Sequence, residues 1–476
     1  MNLSDFSIII LSFGCVVLAT DIDKIEWGKH HDNKEVFEIL EAVNKRCPDI
    51  TSLYHLKYRD TSGNERDETP RGNKLHVLAF GTSEPGRPEF KWVGNMHGNE
   101  VVGRELILRL AVDLCLGHRN GNPLAASLVG RARLHLMPSM NPDGWEIAND
   151  PSAPGRRTEV KGRQNANNVD LNRDFPDLDR RIYELERAGT GPFDHLFSNH
   201  TERCGRQPET CMVMKWILTN NFVLSANLHG GDKVANYPYD ESRPDSPNAY
   251  SASPDDRLFR QLALAYSSGN PAMYDRRYAC PAEGGADGRP NPFRRGVTNG
   301  AKWYSVASGM QDFNYLASNC YEITVELGCK KYPPGNELPR YWEENRQALV
   351  NYMSAVHFGI KGQVTKAGSP VAKGAAVITV DRIDTDGSVL PILHNVNTGA
   401  HGYYHRLLTD GPFVVTANAP GCAPVTKCVM IDNGVNLERW SARQVDFHLC
   451  ADAAATGSGK PRQIDSSCEG VLVDGE

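Results

Sequence analysis

The sequence predicts an α/β fold with a largely parallel sheet, followed by a small all-β module. Up to residue 358, apolar runs of strand length alternate with segments whose apolar residues recur at helical spacing. From Gly359 onward the period changes from helical to alternating. The chain has 476 residues, of which 40% are hydrophobic, and is therefore long enough for one large core and a smaller module.

The predicted elements of the α/β part follow one another in chain order. They are a helix at 33–48, strands at 75–80 and 90–93, a helix from 100 to about 117, strands at 133–137 and 222–229, a helix at 256–267, a strand at 321–327 and a helix at 341–356. Gly, Pro and Arg are abundant in residues 280–301, which predicts an irregular surface loop there. Ligands of such sheets gather at the carboxyl ends of the strands, so residues at those ends are candidates for a site.

The all-β module is predicted from short strands separated by turns. The expected strands lie near Val371 and at 375–383, 403–408, 413–419 and 445–449. About 90 residues of this kind form a small β-sandwich. We therefore expect an α/β domain at 20–358, a β-sandwich at 359–450, and a polar, disordered tail at 451–476.

The N-terminus carries a short apolar block, Ile8–Ala19, which is too short to span a bilayer as a mature helix. Val17-Leu-Ala19 offers small residues for cleavage, so residues 1–19 are predicted to be a secretory signal peptide. Its first residues are atypical, because they include Asp5 and no Lys or Arg. No later run reaches the length of a transmembrane helix, so a soluble mature protein is expected.

The cysteines and the charge also limit the function classes. Twelve cysteines are present, and loss of Cys15 with the signal peptide would leave eleven, which predicts several disulfides and at least one free or intermolecular thiol. The spacings Cys204-x6-Cys211 and Cys422-x5-Cys428 favour disulfides over a structural zinc site, although the connectivity stays open. Asn199-His-Thr201 is a predicted glycosylation site. The net charge of −6 without a basic stripe argues against a nucleic-acid partner.

A candidate metal site lies at the turn between the strand at 90–93 and the next helix. His97 and Glu100 are three residues apart there, so an imidazole and a carboxylate could reach one zinc ion. This pair alone is weak evidence, because ordinary surface residues often show the same spacing. His229 ends the strand at 222–229, where a third ligand is needed, and Gly230-Gly231 leaves backbone room beside it.

Two further segments supply charged groups. The polar loop at 162–176 contains two arginines and four asparagines within eleven residues and suits anion binding, although a solvated loop has the same composition. Glu326 lies inside an apolar strand, where an unpaired charge is expensive, so it needs a partner or a role. Glu322 in the same strand is expected to face solvent.

Long motifs give the chain a clear resemblance to a known family. It resembles the zinc metallocarboxypeptidases of the N/E subgroup from about residue 27 through the β-sandwich. The resemblance implies an eight-stranded mixed sheet with helices on both faces, followed by a transthyretin-like sandwich. The motifs that carry it are His97-Gly-Asn-Glu100, Asn141-Pro-Asp-Gly144, Asp170-Leu-Asn-Arg-Asp-Phe-Pro-Asp177, Leu224-Ser-Ala-Asn-Leu-His-Gly-Gly-Asp232, Val234-Ala-Asn-Tyr-Pro-Tyr-Asp240, Gly309-Met-Gln-Asp-Phe-Asn-Tyr315 and Glu322-Ile-Thr-Val-Glu-Leu327.

The resemblance also implies the chemistry. His97, Glu100 and His229 resemble the ligands of one zinc ion per chain, which lowers the pKa of a water to about 7 and polarises the scissile carbonyl. Glu326 resembles the general base, and Arg163 resembles the group that stabilises the oxyanion.

Further positions match the second coordination layer and the substrate site. Asp170 resembles the carboxylate that orients His97. Arg173 resembles the group that recognises the C-terminal carboxylate of a peptide, helped by Asn172 and Tyr304. Asp240, with Gln311 as its partner, resembles the base of a pocket for a Lys or Arg side chain, and the alternative is that Asp240 only caps a turn.

These positions predict a monomeric exopeptidase that removes C-terminal Lys or Arg from peptides in the secretory pathway, either in vesicles or after secretion. Two alternatives stay open: an extracellular regulatory carboxypeptidase of the N/M kind, and an inactive homologue retained as a binding scaffold. Ala307-Ser308 replaces the Pro-Gly that relatives usually carry at this place, which affects a loop near the pocket. The tail lacks the amphipathic helix with which one member of the subgroup associates with membranes, so membrane association is unsupported.

Overall fold

The computed structural model describes residues 21–150, 160–191, 193, 195–197, 203–278, 280 and 293–450. Three predictions lie outside these ranges: the signal peptide at 1–19, the glycosylation site at Asn199 and the tail at 451–476.

The α-helices of the described ranges lie mostly in the first three quarters of the chain. In chain order they are α1 (Asn33–Arg46), α2 (Val102–Arg119), α3 (Pro123–Arg131), α4 (Pro142–Asn149), α5 (Asp179–Arg187), α6 (Pro208–Thr219), α7 (Asp256–Ser267), α8 (Pro271–Tyr274), α9 (Gly300–Trp303), α10 (Met310–Ala317), α11 (Leu338–Ser354) and α12 (Asn433–Arg439).

The strands occur in both parts of the chain. They are β1 (Thr51–His55), β2 (Tyr58–Arg59), β3 (Glu65–Arg66), β4 (His76–Phe80), β5 (Glu89–Gly94), β6 (Arg133–Met137), β7 (Phe222–His229), β8 (Lys233–Tyr237), β9 (Val297–Asn299), β10 (Tyr321–Leu327), β11 (Ile360–Lys366), β12 (Ser369–Pro370), β13 (Val377–Ile383), β14 (Val389–Asn397), β15 (Tyr403–Arg406), β16 (Gly411–Asn418), β17 (Val425–Ile431), β18 (Arg443–Gln444) and β19 (Phe447–Leu449).

The main sheet has eight strands in the order β1-β4-β6-β5-β7-β10-β8-β9. Its central strands β6, β5, β7 and β10 are parallel to one another, whereas β1–β4, β4–β6 and β10–β8 are antiparallel pairs. Every residue of β7 and of β10 is buried, as expected for parallel strands covered on both faces. The predicted α/β fold with a mixed eight-stranded sheet is therefore confirmed.

Several elements have the predicted bounds because their sequence signals are strong. β6, β7, α7 and β10 begin and end at the residues that the apolar patterns indicate. α1 starts at a capping box, in which Asp32 accepts from the main-chain N–H of Glu35 and the Glu35 side chain accepts from that of Asp32.

Two expectations for the α/β part are wrong. The segment at 280–301 is not irregular throughout, because β9 pairs with β8 at the edge of the sheet and Asn299 caps α9 by accepting from the main-chain N–H of Lys302. Glu322 does not face solvent. It is fully buried, its Oε2 lies 3.5 Å from Lys91 Nζ, and it accepts from Ser225 Oγ.

The C-terminal β part consists of two sheets packed around their own apolar core. One has the order β14-β13-β16-β17, and the other is built on β11, which pairs with β12, β15, β18 and β19. The sequence did not indicate β11, β14 or β17. In β14, for example, the first residues are exposed and alternate poorly, so its period-2 signal is weak.

Four disulfides lie within the described ranges: Cys47–Cys115, Cys204–Cys211, Cys280–Cys329 and Cys422–Cys450. Cys422 therefore bonds to Cys450 and not to its near neighbour Cys428, which is disulfide-bonded as well. Cys320 is a buried free thiol. Within the same ranges, no helix combines the length and the apolar character needed to cross a membrane.

Candidate active site

The carboxyl ends of three central strands meet at the candidate site. β5 ends at Gly94, just before His97 and Glu100, and β7 ends at His229. β7 and β10 are paired so that Glu326 lies beside His229. The register of the sheet therefore assembles the predicted residues from three distant parts of the chain.

The loop between β5 and α2 and the first turn of α2 are packed too tightly for side chains at Gly98 and Gly103. A Cβ at Gly98 would lie 2.0 Å from the carbonyl carbon of Gly144 in α4. A Cβ at Gly103 would lie 2.6 Å from Cβ of Leu228 in β7. These close contacts fix the backbone that carries His97 and Glu100.

His97, Glu100 and His229 form a buried group that can hold a metal ion. His97 Nδ1 and His229 Nδ1 lie 2.9 and 2.8 Å from Glu100 Oε2, and only 3.1 Å from each other. A proton bound to one of these imidazole nitrogens leaves the other nitrogen without a donor. A metal cation, in contrast, can be bound by all three converging atoms at once. Two imidazole nitrogens and one carboxylate oxygen are also the ligand set of a catalytic zinc site.

The electrostatics of this group suit a metal ligand set. Burial lowers the pKa of His229 to about 4, which keeps the imidazole neutral and its nitrogen available. Burial acts to raise the pKa of Glu100, but His97 and His229 overcome this effect and hold it well below the ordinary value. The carboxylate is therefore charged at neutral pH.

Asp170 lies behind His97. Its Oδ1 is 3.1 Å from His97 Nε2, and its Oδ2 accepts from Arg163 Nε at 3.1 Å. Burial acts to raise the pKa of Asp170, but His97 and Arg163 lower it below the ordinary value. This contact fixes the orientation of the ring and directs Nδ1 toward Glu100.

Two cations hold the other oxygen of Glu100. Arg163 Nη1 and Lys331 Nζ lie 3.1 and 3.0 Å from Oε1, so Oε2 is left facing the two histidines. Lys331 was missed by the sequence reasoning, because no motif marks it. Its stem packs over Gly231, where a Cβ would lie 3.0 Å from Lys331 Cε.

Glu326 lies in the same cavity and is 7% exposed. Its Oε2 has no hydrogen-bond donor among the described residues. Burial, followed by the charge of Glu100, raises its pKa well above the ordinary value, while Lys331 lowers it. A buried carboxylate with a raised pKa and a free oxygen is suited to accept a proton.

The cavity around this group has a volume of about 160 Å³ and brings together most of the predicted residues. Its lining includes His97, Glu100, Arg163, Asn172, Arg173, His229, Asp240, Tyr304 and Glu326. Asp170 and Gln311 lie just behind the lining, against His97 and beside Asp240 respectively.

The residues predicted to recognise a terminal carboxylate lie close together. Arg173 Nη1 donates to the main-chain oxygen of Asn172 at 2.8 Å, and Asn172 Oδ1 accepts from the main-chain N–H of Met310 at 3.0 Å. Tyr304 lines the same cavity and is 43% exposed. Among the described residues the guanidinium of Arg173 makes no other hydrogen bond, so its remaining donors are available to the cavity.

Asp240 lies at the base of the cavity and is 2% exposed. Its Oδ1 accepts from Asn236 Nδ2 at 2.9 Å, and a Cβ at Gly300 would lie 1.8 Å from the same oxygen. Burial raises the pKa of Asp240 to about 6. The sequence reasoning missed Asn236, although it lies inside the matched motif that ends at Asp240.

Comparisons with known proteins agree with this geometry. Residues 36–348 match the zinc carboxypeptidase family. This chain belongs to that family. It is 42% identical to carboxypeptidase E of Caenorhabditis elegans over 94% of this chain and 92% of the relative. It is also 44% identical to the carboxypeptidase N catalytic chain of Mus musculus over 85% of this chain and 83% of the relative.

The solved structures of this family show the same fold. The crystal structure of carboxypeptidase A from Helicoverpa armigera matches with a TM-score of 0.50 at 15% identity, covering 71% of this chain and 76% of that one. The protein is thus a metallocarboxypeptidase, and His97, Glu100 and His229 form a group that could hold its metal ion.

Proposed function

We propose that this carboxypeptidase removes C-terminal Lys or Arg from peptides. One observation carries the proposal: Asp240 is a buried acid at the base of the cavity that also contains the metal-binding group. A carboxylate in this position pairs with an ammonium or a guanidinium, leaves Phe or Leu without a partner and repels Glu.

The acceptors around Asp240 support a basic side chain. Asn236 Oδ1 and Gln311 Oε1 have no hydrogen-bond partner among the described residues, although both are buried. A guanidinium with five donors would satisfy these oxygens together with Asp240. An apolar side chain would leave them buried and unpaired, which is costly.

Recognition of the terminal carboxylate is assigned to Arg173. Its planar guanidinium can donate two parallel hydrogen bonds to a carboxylate. Asn172 holds the first residue of α10 and Tyr304 lines the same cavity, so a free C-terminus would lie between Arg173 and the metal-binding group. Only a peptide with a free C-terminus fits this arrangement.

The catalytic roles follow from the contacts. A zinc ion bound by His97, Glu100 and His229 would supply Lewis acidity to the scissile carbonyl and to a water. Glu326 accepts a proton from that water and passes it to the leaving amine. Arg163 lies beside Glu100 and donates to the oxyanion, a charge that develops only in the transition state.

We place this activity in the secretory pathway, in vesicles or after secretion. Four disulfides within the described ranges support an oxidising compartment. Similarity to both carboxypeptidase E and a carboxypeptidase N catalytic chain supports peptide processing and keeps an extracellular role as a second candidate. We assign the chemistry to residues 20–358 and folding of that unit to the β-sandwich at 359–450.

One assay tests the proposal. The full-length secreted protein, with and without a chelator, is given peptides that differ only in a C-terminal Arg, Lys, Phe or Glu. We expect the enzyme to release a C-terminal Arg or Lys but not Phe or Glu. We expect no release from any peptide in the presence of the chelator. C-terminally amidated versions of the Arg peptide serve as the matched control and should remain intact. Preference for Phe would refute the pocket assignment, and cleavage of the amide would refute the exopeptidase assignment.

A further inference from the structure

A buried acid of helix α6 lies behind the turn at 163–170, which begins at Arg163 and ends at Asp170. Glu209 is in the first turn of α6 and is 0% exposed. Within the described ranges its Oε1 has no hydrogen-bond donor, and no Lys or Arg side chain forms an ion pair with its carboxylate. A buried carboxylate without a cation is costly, so the position of Glu209 needs an explanation.

Asn165 connects this acid to the turn. Its Nδ2 donates to Glu209 Oε2 at 3.1 Å and to Gln207 Oε1 at 3.0 Å. Its Oδ1 accepts from the main-chain N–H groups of Asn167 and Val169, both at 3.1 Å. Asn165 is 1% exposed, so these hydrogen bonds are shielded from water. One amide side chain therefore joins the bonds that close the turn to the start of α6.

The two ends of the turn contact the metal-binding group. Arg163 Nη1 lies 3.1 Å from Glu100 Oε1, and Asp170 Oδ1 lies 3.1 Å from His97 Nε2. Arg163 and Asp170 also pair with each other, with 3.1 Å between Nε and Oδ2. A shift of the turn would therefore move both contacts. Because such partners orient metal ligands, the shift would change the affinity for the metal.

The turn is supported from two sides. On one side, a Cβ at Gly162 would lie 2.5 Å from Cβ of Ala148 in α4, so the backbone just before Arg163 is packed against that helix. On the other side, the Cys204–Cys211 disulfide encloses the segment that contains Glu209. The α6 side thus offers a fixed support whose contact to the turn is made by an ionisable side chain.

We propose that Glu209 is a positioning residue of this enzyme, which acts through Asn165 to hold the turn that carries Arg163 and Asp170. Glu209 lies outside the lining of the active-site cavity, so its effect passes through the turn. An effect on turnover rests on the proposed function, in which both ends of the turn have roles. An effect on zinc affinity rests on the contacts that these ends make with the metal-binding group.

The charge of Glu209 sets how strongly it holds Asn165. Burial, together with the charges of Asp143 and Asp174, raises the pKa of Glu209 to about 7, while Asn165 lowers it. Tyr58 also faces Glu209, and burial raises the pKa of its phenol, so it stays neutral. A carboxylate accepts a hydrogen bond roughly twice as strongly as a neutral carboxyl group. The turn should therefore be held more firmly as the pH rises through about 7.

The experiment measures the zinc affinity of the full-length protein by competition with a chelator of known strength. Glu209→Met fills a similar volume but cannot accept a hydrogen bond, so it should weaken zinc binding by about 10–100-fold. Asn165→Ser keeps an oxygen that can close the turn but loses both donors, and it should weaken zinc binding at least as much. The double variant should match Asn165→Ser, because both changes break the same bond.

Glu209→Gln separates the charge from the hydrogen bond. Its amide oxygen can still accept from Asn165, but it does not ionise. The zinc affinity of the wild type divided by that of Glu209→Gln should stay near one below about pH 6 and rise by up to about tenfold above about pH 8. Protonation of the zinc-binding histidines is common to both proteins, so the ratio cancels it. A solely structural role of Glu209 would leave the ratio constant.

Ile217→Val is the matched control, because it loosens the buried side of the same helix at a distance from Asn165. It should lower Tm and leave the zinc affinity at the wild-type value. Wild-type zinc affinity in both Glu209→Met and Asn165→Ser would overturn the proposal, and so would losses that multiply in the double variant.

A second cycle covers the case in which Glu209→Met is not secreted. Asn165→Ser is then compared in the wild-type and Glu209→Gln backgrounds above about pH 8. The loss of zinc affinity should be smaller in the Glu209→Gln background, and equal losses would overturn the proposal. Zinc affinity does not depend on which terminal residue is removed, so failure of this inference and failure of the proposed function are distinguishable.

Discussion

Arg406 of the β part forms a buried ion pair with Asp255 of the α/β part, with 2.9 Å between Arg406 Nη2 and Asp255 Oδ1. Both side chains are at most 2% exposed. Asp255 Oδ2 also accepts from the hydroxyl of Tyr315 at 2.9 Å, and Arg406 donates to the hydroxyl of Tyr321, the first residue of β10. The β part is thus joined by charge to the sheet that carries Glu326.

We expect Arg406→Met to destabilise the whole protein. The change leaves Asp255 buried without its cation, and breaking a buried pair in this way costs about 3–5 kcal/mol. The measurement is the free energy of unfolding, together with the yield of secreted protein. Arg439→Met, an exposed change in the same part, is the control and should be neutral. Near-wild-type stability of Arg406→Met would mean that the β part folds independently of the α/β part.

His97→Ala should remove the bound metal and the activity but leave the fold. A large α/β core does not depend on one ion, so circular dichroism should stay native while metal analysis falls below one zinc per chain. Chelation of the wild type should have the same effect and be reversed by added zinc. His118→Ala on α2 controls for loss of an imidazole. Full activity in protein shown to contain no zinc would refute this assignment.

Glu326→Gln should retain zinc and peptide binding and lose most of the turnover. The amide has nearly the same shape but cannot accept a proton, and such groups contribute about 10²–10⁴-fold. The measurement is kcat beside the Kd of an uncleaved amidated peptide. Glu343→Gln, an exposed change on α11, is the control. A variant that keeps more than roughly a third of the wild-type kcat would point to a different base.

Lys331→Met should move the acid limb of the kcat/KM profile to higher pH. Lys331 lowers the pKa of Glu326, so removing its charge raises that pKa and the base is protonated over a wider range. Lys331→Arg should restore the wild-type profile. Lys330→Met removes a neighbouring lysine that pairs with Glu337 at the surface and should leave the profile unchanged. An unshifted profile for Lys331→Met would show that this lysine does not influence Glu326.

The sequence predicted the residues that belong to contiguous motifs and missed those that only the tertiary structure brings close. His97 and Glu100 share one turn, and His229 ends an apolar strand, so their spacing was visible. Lys331 reaches Glu100 from a segment more than two hundred residues away, with no pattern of its own. Glu322 was misplaced because strand alternation predicts a solvent face only where one side of the sheet is open, and both sides of β10 are covered.

The last prediction concerns Asp240, whose pKa is raised by burial from 3.8 to about 6. The ionised form is the one that pairs with Arg or Lys, so preference for these residues should fall about tenfold per pH unit below 6. The measurement is the ratio of kcat/KM for Arg-ended and Phe-ended peptides, because a ratio cancels the titration of groups common to both reactions.

Asp240→Asn should lower that ratio by about 30-fold to several thousand-fold, since losing one partner of a desolvated charge pair costs about 2–5 kcal/mol. Its ratio should also be independent of pH.

The stability of the wild type should fall as the pH rises, whereas its preference for Arg and Lys should increase. The folded state holds the proton of Asp240 more tightly than the unfolded state, so the wild type loses stability as the pH rises from about 4 to about 6. Asp240→Asn should lack this loss and unfold at a higher temperature than wild type above pH 6. A wild-type ratio that stays constant through this range would show that Asp240 does not select the terminal residue.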